Sequence, residues 1–270
     1  MLISDSNPFG DISAFVRFAI SKSLNSMALN HSFAGKRILV TAGAKGIGRA
    51  IVNRLHADDA HLFVLQRNPV LAQKLRDELP NVTVACVDVN NWTETREAIE
   101  SFGVLDHVIN NAGFLESQPF MEITEESAEL HLSTNCKSLI NIVQSAAKGM
   151  IESGNGGSIV NILSLGGHAT VAGICCYSTS KAATLMLTKC MSVELGQYKI
   201  RVNSVSPAAV ADTDMVALLP PTAGALLARA MQPRLLVADE VVDSVLFLLS
   251  PRASMIYGED ILIDGGVHTC

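Results

Sequence analysis

The sequence predicts an α/β protein with a doubly wound parallel sheet, and three observations lead to this fold class. Short apolar runs rich in β-branched residues recur from residue 37 onward, and segments of helical length separate them. The runs are nearly continuous in apolar residues, which is typical of strands that are buried on both faces. With 270 residues, of which 49% are hydrophobic, the chain can fill a sizeable core.

Seven segments are strand candidates, and each is followed by a turn or a helical pattern. They are Arg37–Thr41, His61–Gln66, Val82–Val89, Leu105–Gly113, Gly157–Ser164, Ile200–Pro207 and Gly258–Gly266. Right-handed crossovers then place helices on both faces of a seven-stranded parallel sheet, which gives a three-layer αβα architecture. In such a sheet a ligand binds outside the carboxyl ends of the strands, where the strand order reverses.

The first 32 residues stand apart from this pattern. Their apolar residues follow helical spacing, and Asp11 or Ser13 is placed to cap the helix: Ile12, Phe15, Val16, Ile20, Leu24 and Met27. We expect residues 1–32 to be an amphipathic N-terminal extension and residues 33–270 to be a single domain. A transit peptide is the alternative, although such peptides are usually poor in acidic residues.

Composition argues against several classes of function. The net charge of −6 comes without a basic stripe, so we expect no nucleic-acid partner, and no apolar run is long enough to predict a membrane span. The six cysteines lack C-x-x-C spacing, which favours a reducing compartment, cytoplasmic or, with a transit peptide, mitochondrial. The seven histidines form no H-x-x-x-H pattern, so no metal site is expected.

A glycine-rich turn follows the first predicted strand. The run TAGAKGIGRA, Thr41 to Ala50, leads into a predicted helix that begins near Gly46. Glycines let the backbone approach a pyrophosphate, and the free N–H groups of the helix N-terminus favour its charge. Strand, glycine turn and helix in this order predict a Rossmann-type dinucleotide site.

The end of the second strand indicates which dinucleotide is bound. An acidic residue there accepts from the ribose hydroxyls of NAD, whereas an arginine accommodates the 2′-phosphate of NADP. The strand ends at Gln66 and Arg67, and Lys45 lies in the glycine turn. We therefore expect NADP(H), with a solvated loop arginine as the alternative interpretation of Arg67.

Tyr177 and Lys181 lie four residues apart in a predicted helix, so their side chains share one face. A Y-x-x-x-K pair also arises by chance, with the tyrosine packed and the lysine in solvent. Here it occurs with Ser164 after the fifth strand, NNAG (Asn110 to Gly113) after the fourth, and the glycine turn. Together these motifs resemble the short-chain dehydrogenase/reductase family over residues 33–270, and within it most closely the L-xylulose reductase (dicarbonyl reductase) and carbonyl reductase branch.

The resemblance implies that residues 33–270 are a single dinucleotide-binding catalytic domain with four catalytic residues. Tyr177 is expected to be the general acid for ketone reduction, and Lys181 to bind the nicotinamide ribose and lower the pKa of the tyrosine. Ser164 is expected to hold the substrate oxygen. Asn135 is expected to support a water relay to Lys181, with bonding to nearby backbone as the alternative.

The resemblance also implies a set of residues along the cofactor. They run from the glycine turn to the end of the sixth strand: Thr41, Gly43, Lys45, Gly46, Ile47, Gly48, Arg67, Asp88, Val89, Asn110, Ala112, Tyr177, Lys181, Pro207, Val210 and Thr213. Asn110 has an alternative role in holding the central sheet together.

The chain departs from the family pattern at several positions. Ala42 replaces the usual first glycine, and Leu163 replaces the serine that usually precedes Ser164. Asp212 stands where a threonine is usual, so we expect it to turn outward and Thr213 to take the contact with the cofactor.

The predicted substrate residues are Ser164, Leu165, Ile174 and Tyr177. Leu165 and Ile174 are apolar where the xylulose reductase branch has polar residues. The loop after the sixth strand, MVALLPPTAGALLARAMQPRLL, is also mostly apolar, which fits either a lid over a less polar carbonyl or simple helix packing.

These observations predict an NADPH-dependent reductase of a ketone or an α-dicarbonyl, L-xylulose among the candidates. Two alternatives stay open: redox chemistry on a less polar secondary alcohol or ketone of steroid or acyl type, and a nucleotide-binding interaction protein without catalysis. A small-molecule carbonyl substrate and a homo-oligomer, dimer or tetramer, are the expected partners.

Overall fold

A computed structural model describes residues 31–269 of the chain. Phe33–Cys270 form one compact unit. The predicted amphipathic extension falls almost wholly on residues 1–30, outside the described residues. Within the described range, no helix is long and apolar enough to cross a membrane.

A single sheet of seven parallel strands forms the middle layer, in the order β3-β2-β1-β4-β5-β6-β7. The strands are β1 (Arg37–Thr41), β2 (His61–Leu65), β3 (Thr83–Ala85), β4 (His107–Asn110), β5 (Gly157–Ile162), β6 (Ile200–Pro207) and β7 (Asp260–Ile263). The order reverses between β1 and β4, which is the point where such sheets bind ligands. The predicted Rossmann-type doubly wound fold is confirmed.

Helices cover both faces of the sheet. They are α1 (Gly46–His56), α2 (Pro69–Glu78), α3 (Trp92–Ser101), α4 (Glu125–Leu132), α5 (Ser138–Ser153), α6 (Cys175–Leu195), α7 (Asp214–Ala217), α8 (Ala223–Leu227) and α9 (Ala238–Leu249). Apolar residues of α1, α2 and α9 fill one core against the sheet. Residues of α3, α5 and α6 fill the other, so the protein has three layers.

Local sequence explains where several helices begin and end. The Asn68 side chain accepts from the N–H groups of Val70 at 2.9 Å and Leu71 at 3.1 Å, and Pro69 fits the first helical position of α2. Helix α5 ends before Gly154, whose φ of 69° is left-handed. The predicted strand Val82–Val89 is shorter in the structure and ends at Ala85.

The connection from β6 to α9 is long and carries α7 and α8. We call residues 211–235 the strap. A parallel bridge between Val210 and Leu236 joins the two ends of the strap, so it closes on itself beside the carboxyl edge of the sheet.

Candidate active site

A cavity of about 400 Å³ lies at the carboxyl edge of β1, β4, β5 and β6, and the strap covers it. One end is lined by residues of the glycine turn, Arg67 and Asn111, and we call it the glycine-turn end. The other is lined by Ser164, Tyr177 and apolar residues, and we call it the tyrosine end. The motifs that the sequence suggested therefore meet around one space.

Ser164, Tyr177 and Lys181 all line this cavity. Tyr177 and Lys181 share one face of α6, and the lysine Nζ lies 5.7 Å from the centroid of the tyrosine ring. Lys181 Nζ donates to the carbonyl of Ile162 at 2.9 Å, which fixes the amine beneath the end of β5. Ser164 follows β5, and its Oγ accepts from the N–H of Gly166 at 3.0 Å.

Close packing holds the loop after β5 against α6. A Cβ built on Gly166 would lie 3.1 Å from Cε1 of Tyr177, and one on Gly167 would lie 3.1 Å from the backbone carbonyl carbon of Lys181. These contacts are tighter than side chains normally accept. Glycines at both positions therefore allow Ser164 to sit beside Tyr177.

Burial sets the titration of Tyr177 and Lys181. Burial raises the pKa of Tyr177, and a hydrogen bond with Ser164 offsets only part of the rise. Burial also lowers the pKa of Lys181 to about 8. The net direction is upward because desolvation of the phenol dominates, and the expectation that Lys181 lowers the tyrosine pKa stays a prediction.

Asn135 is 1% exposed and lies in a short π-helical segment, Ser133–Lys137, between α4 and α5. Its Oδ1 accepts from the N–H of Phe114 at 2.7 Å, and its Nδ2 donates to the carbonyl of Phe114 and to Ser180 Oγ, both at 2.9 Å. The side chain thus ties the loop after β4 to α6. It is not among the described residues that line the cavity.

The glycine turn keeps its shape despite Ala42, whose φ of 53° is left-handed. A non-glycine residue pays for this conformation in steric strain. At Gly48 a Cβ would lie 2.5 Å from the carbonyl oxygen of Ala42, so this glycine is required for the turn to pack on α1. The cap residue of α1, Lys45, makes no side-chain cap hydrogen bond within the described structure, and the first turn holds no acid.

Both predicted cations at this end face acidic side chains. Lys45 pairs with Asp214 at the start of α7. Arg67 Nη1 lies 3.7 Å from Asp88 Oδ2, and its side chain is 66% exposed. No acidic residue ends β2, since Gln66 follows it and is buried.

Not every predicted cofactor residue lines the cavity. Those that do are Lys45, Gly46, Ile47, Arg67, Tyr177, Lys181, Pro207, Val210 and Thr213. Those that lie outside its described lining are Thr41, Gly43, Gly48, Asp88, Val89, Asn110 and Ala112. Thr41 accepts with Oγ1 from the N–H of Asn111 at 2.9 Å and of Ala112 at 2.8 Å, and Asn110 donates to Asn161 Oδ1 at 2.8 Å. These contacts link β1, β4 and β5. Asn110 therefore helps to hold the central sheet together, which was the alternative role given for this residue.

The strap begins on the glycine turn. Asp212 is exposed with a φ of 59°, so it turns outward as expected. Thr213 lies against the turn: its Cγ2 would be 3.3 Å from a Cβ built on Gly46. Its Oγ1 donates to the carbonyl of Val210 at 2.8 Å.

Leu165 and Ile174, the predicted substrate residues, are buried and line the tyrosine end. Sequence reasoning missed several other lining residues, among them Asn111, Leu115, Val171, Asp214, Met215 and Leu219. The NNAG motif already pointed to Asn111, and the apolar loop pointed to the strap as a whole. Nothing in the sequence singled out Met215, whose Sδ accepts from Tyr177 Oη at 3.7 Å.

No group of three His, Cys, Asp or Glu side chains in the part of the chain that the structure describes could hold a metal ion.

Comparison with known proteins adds to this geometry. A family model described as enoyl-(acyl carrier protein) reductase matches residues 41–268. L-xylulose reductase of Bos taurus is 40% identical over 235 residues, which cover 86% of this chain and 96% of that protein. NADPH carbonyl reductase 2 of Sus scrofa is 39% identical over 237 residues, which cover 87% of this chain and 97% of that protein. A crystal structure of gluconate 5-dehydrogenase from Burkholderia cenocepacia, in complex with NADP and tartrate, superposes with a TM-score of 0.80 at 27% identity, covering 88% of this chain and 97% of that one.

Proposed function

The chain belongs to the short-chain dehydrogenase/reductase family and is an NAD(P)-dependent oxidoreductase acting on CH–OH and carbonyl groups, and from this premise we propose that it reduces a ketone or an α-dicarbonyl to the alcohol with NADPH. One observation carries the proposal: Ser164, Tyr177 and Lys181 line one end of a cavity whose other end is the glycine turn. The names of the relatives, L-xylulose reductase and NADPH carbonyl reductase, support reduction as the direction of the reaction and NADPH as the cofactor.

The residues of the tyrosine end have complementary roles in this reaction. When bound, NADPH supplies the hydride that adds to the carbonyl carbon. Tyr177 gives its proton to the carbonyl oxygen, and Ser164 donates a hydrogen bond to the charge that develops there. A tyrosine phenol is protonated at neutral pH, so Tyr177 is in the form that a general acid requires.

Lys181 and Asn135 have supporting roles next to Tyr177 in this proposal. Lys181 carries a positive charge below its pKa of about 8 and holds the nicotinamide ribose in this proposal. Asn135 fixes the backbone of Phe114 and the Ser180 hydroxyl. A proton relay towards Lys181 would start from this polar group.

The glycine-turn end fits a dinucleotide. The cap of α1 has no side-chain acceptor among the described residues, so the first N–H groups of the helix are free for a pyrophosphate. Arg67 and Lys45 would hold the 2′-phosphate of NADP, and Asp88 and Val89 the adenine. Pro207, Val210 and Thr213 would hold the nicotinamide carboxamide.

A carbonyl panel tests this proposal. The purified protein is incubated with NADPH and, in turn, 2,3-butanedione, L-xylulose and a steroid ketone, while the loss of cofactor absorbance is followed. We expect oxidation of NADPH with at least one of them, and slower oxidation of NADH at the same concentration. Absence of turnover with every carbonyl, in protein that is folded by circular dichroism, would overturn the proposal.

We also propose that the protein forms a homo-oligomer through α6. On the outer side of this helix Met186 is 59% exposed and Val193 is 82% exposed, as an interface residue of an isolated protomer would be. Light scattering of the wild type and of Val193→Asp tests this, with a smaller particle expected for the variant. The cytoplasmic location stays a prediction.

A further inference from the structure

The tyrosine end of the cavity is walled by hydrocarbon. Leu115, Ile174 and the ring of Tyr177 form a buried cluster, and Val171, Met215 and Leu219 pack against it. These residues come from the loop after β4, the segment before and at the start of α6, and the strap. A substrate that reaches Tyr177 therefore meets apolar surface from three separate parts of the chain.

The polar side chains around the cavity are already engaged elsewhere. Asn111 donates to the carbonyls of Thr41 and Ala42, Lys181 to that of Ile162, and Thr213 to that of Val210. Lys45 and Asp214 pair with each other, and Arg67 faces Asp88. The hydroxyls of Ser164 and Tyr177 contact the N–H of Gly166, the thioether of Met215 and each other, and the proposed reduction uses both hydroxyls on the carbonyl oxygen.

With this distribution of polar groups, we expect two kinds of ketone to bind with different affinities. A polyhydroxy ketone would bury several hydroxyls against leucine, isoleucine and valine, and each buried hydroxyl without a partner weakens binding by about ten-fold. A hydrocarbon substituent in the same place strengthens binding by about four-fold for each buried methylene. Of two ketones with the same number of carbon atoms, the polyhydroxy ketone should therefore bind more weakly than the ketone with hydrocarbon substituents.

Met215 lies directly over the proposed general acid. Its Sδ accepts from Tyr177 Oη at 3.7 Å, and its Cε would lie 3.8 Å from a Cβ built on Gly113. A carbonyl oxygen that binds Tyr177 takes the position of the thioether. The flexible methionine side chain then packs on the substituent next to the carbonyl, which methionine does well against hydrocarbon.

We propose that this site takes ketones with hydrocarbon substituents and discriminates against polyhydroxy ketones such as L-xylulose, with Met215 as the residue that contacts the substituent. The inference rests on the proposed reductase function. It separates this chain from relatives whose names refer to a sugar.

The test measures kcat/KM with NADPH for 2,3-butanedione, 2,3-pentanedione, 2,3-hexanedione and L-xylulose. We expect a rise of about four-fold for each added methylene of the diones. We also expect L-xylulose to lie at least about a hundred-fold below 2,3-pentanedione, which has the same number of carbons. A flat dione series, or an L-xylulose value equal to that of 2,3-pentanedione, would overturn the inference and leave the proposed reductase function intact.

Near-isosteric polar variants test which residues cause the preference for hydrocarbon substituents. Met215→Gln and Val171→Thr each add a polar group at almost constant volume, so we expect a loss of about ten-fold for 2,3-hexanedione and a smaller loss or a gain for L-xylulose. Met121→Gln is the matched control, since Met121 is 90% exposed and lies outside the described lining. Equal losses for both substrates in Met215→Gln would contradict a specificity role, and thermal melting of each variant separates this result from unfolding. If no carbonyl oxidises NADPH in the wild type, the inference fails together with the proposed function.

Discussion

The glycine-turn end of the cavity is built largely from backbone, whereas the tyrosine end is built from side chains. At the first, the N-terminus of α1 and the turn from Thr41 to Gly48 offer N–H groups from one continuous stretch of sequence. At the second, buried apolar side chains from three separate segments surround two hydroxyls and an amine. A backbone site depends on few side chains, and a side-chain site changes its ligand with each substitution. We therefore expect mutations at the tyrosine end to alter rate and substrate, and mutations at the glycine-turn end to alter mainly the cofactor.

The largest effect is expected at the tyrosine hydroxyl. Tyr177→Phe removes the proton donor but keeps the ring that packs on Gly166, so kcat should fall by about a thousand-fold while the Kd for NADPH changes little. Steady-state kinetics and a fluorescence titration of NADPH measure the two quantities. Tyr198→Phe is the matched control, because Tyr198 is 42% exposed and is not among the described lining residues. A Tyr177→Phe enzyme with wild-type kcat would show that another group donates the proton.

Lys181→Met should remove activity and yet stabilise the fold at neutral pH. The amine is 4% exposed, and its pKa is lowered from 10.5 to about 8 by burial. Below about pH 8 the lysine is charged in both states, so the folded protein carries the full cost of burying the charge. This cost declines as the pH rises from about 8 to 10.5, where the unfolded lysine also becomes neutral.

The expected gain of Lys181→Met in the free energy of unfolding is on the order of 3 kcal/mol at pH 7, and it should shrink towards about pH 10. Urea denaturation at several pH values measures it. Lys148→Met on α5 is exposed and serves as the control, with no pH-dependent gain expected. A gain that stays constant with pH would mean that packing, and not the buried charge, is responsible.

The two ends of the cavity also differ in how well the sequence predicts them. Local patterns can be read from the sequence, whereas contacts between distant segments cannot. The glycine turn and the Tyr177–Lys181 pair are local patterns, so helical spacing and strand order are enough to place them. The contact of Met215 with Tyr177 and the pairing of Lys45 with Asp214 join segments that are distant in the chain, and only the path of the strap brings them together. The net direction of the shift in the Tyr177 pKa could not be predicted from the Tyr177–Lys181 pair alone, because desolvation depends on every segment that covers the ring.

Arg67→Ala tests the cofactor preference of the glycine-turn end. Loss of a charge-assisted contact with the 2′-phosphate should raise the Kd for NADPH by at least about ten-fold and leave the Kd for NADH within about two-fold. Titration with both cofactors measures this. Arg54→Ala is the control, since Arg54 pairs with Asp243 on the exposed surface between α1 and α9. Equal weakening of both cofactors by Arg67→Ala would remove the arginine from phosphate recognition.

Ala42→Gly should stabilise the protein by about 1 kcal/mol. Ala42 has a φ of 53°, which is unfavourable for an L-residue with a Cβ, and glycine relieves the strain at some cost in chain entropy. Thermal or urea unfolding measures the difference. Ala44→Gly provides the opposite sign, because Ala44 is not among the described residues with positive φ, and glycine there only adds entropy to the unfolded chain. Destabilisation by Ala42→Gly would show that the methyl group contributes packing that exceeds the strain.

The smallest effect concerns the ion pair that joins the strap to the glycine turn. Lys45 pairs with Asp214, and in the proposed complex with NADP the 2′-phosphate would compete with Asp214 for this amine. Because both side chains are more than half exposed, the pair itself is worth less than about 1 kcal/mol. Asp214→Asn should therefore lower the Kd for NADPH by two-fold to five-fold, roughly, and leave that for NADH unchanged.

Asp243→Asn is the matched control for this variant, since it breaks an exposed pair with Arg54 at 2.7 Å on the outer surface of the protein. Titrations of both variants at low and high salt complete the test, because screening should reduce the gain of Asp214→Asn. If Asp214→Asn instead weakens NADPH and NADH alike, the pair closes the strap over the cofactor and does not compete with its phosphate. The two ends of the cavity would then be coupled through Asp214 and its neighbour Met215, and cofactor binding would control access to Tyr177.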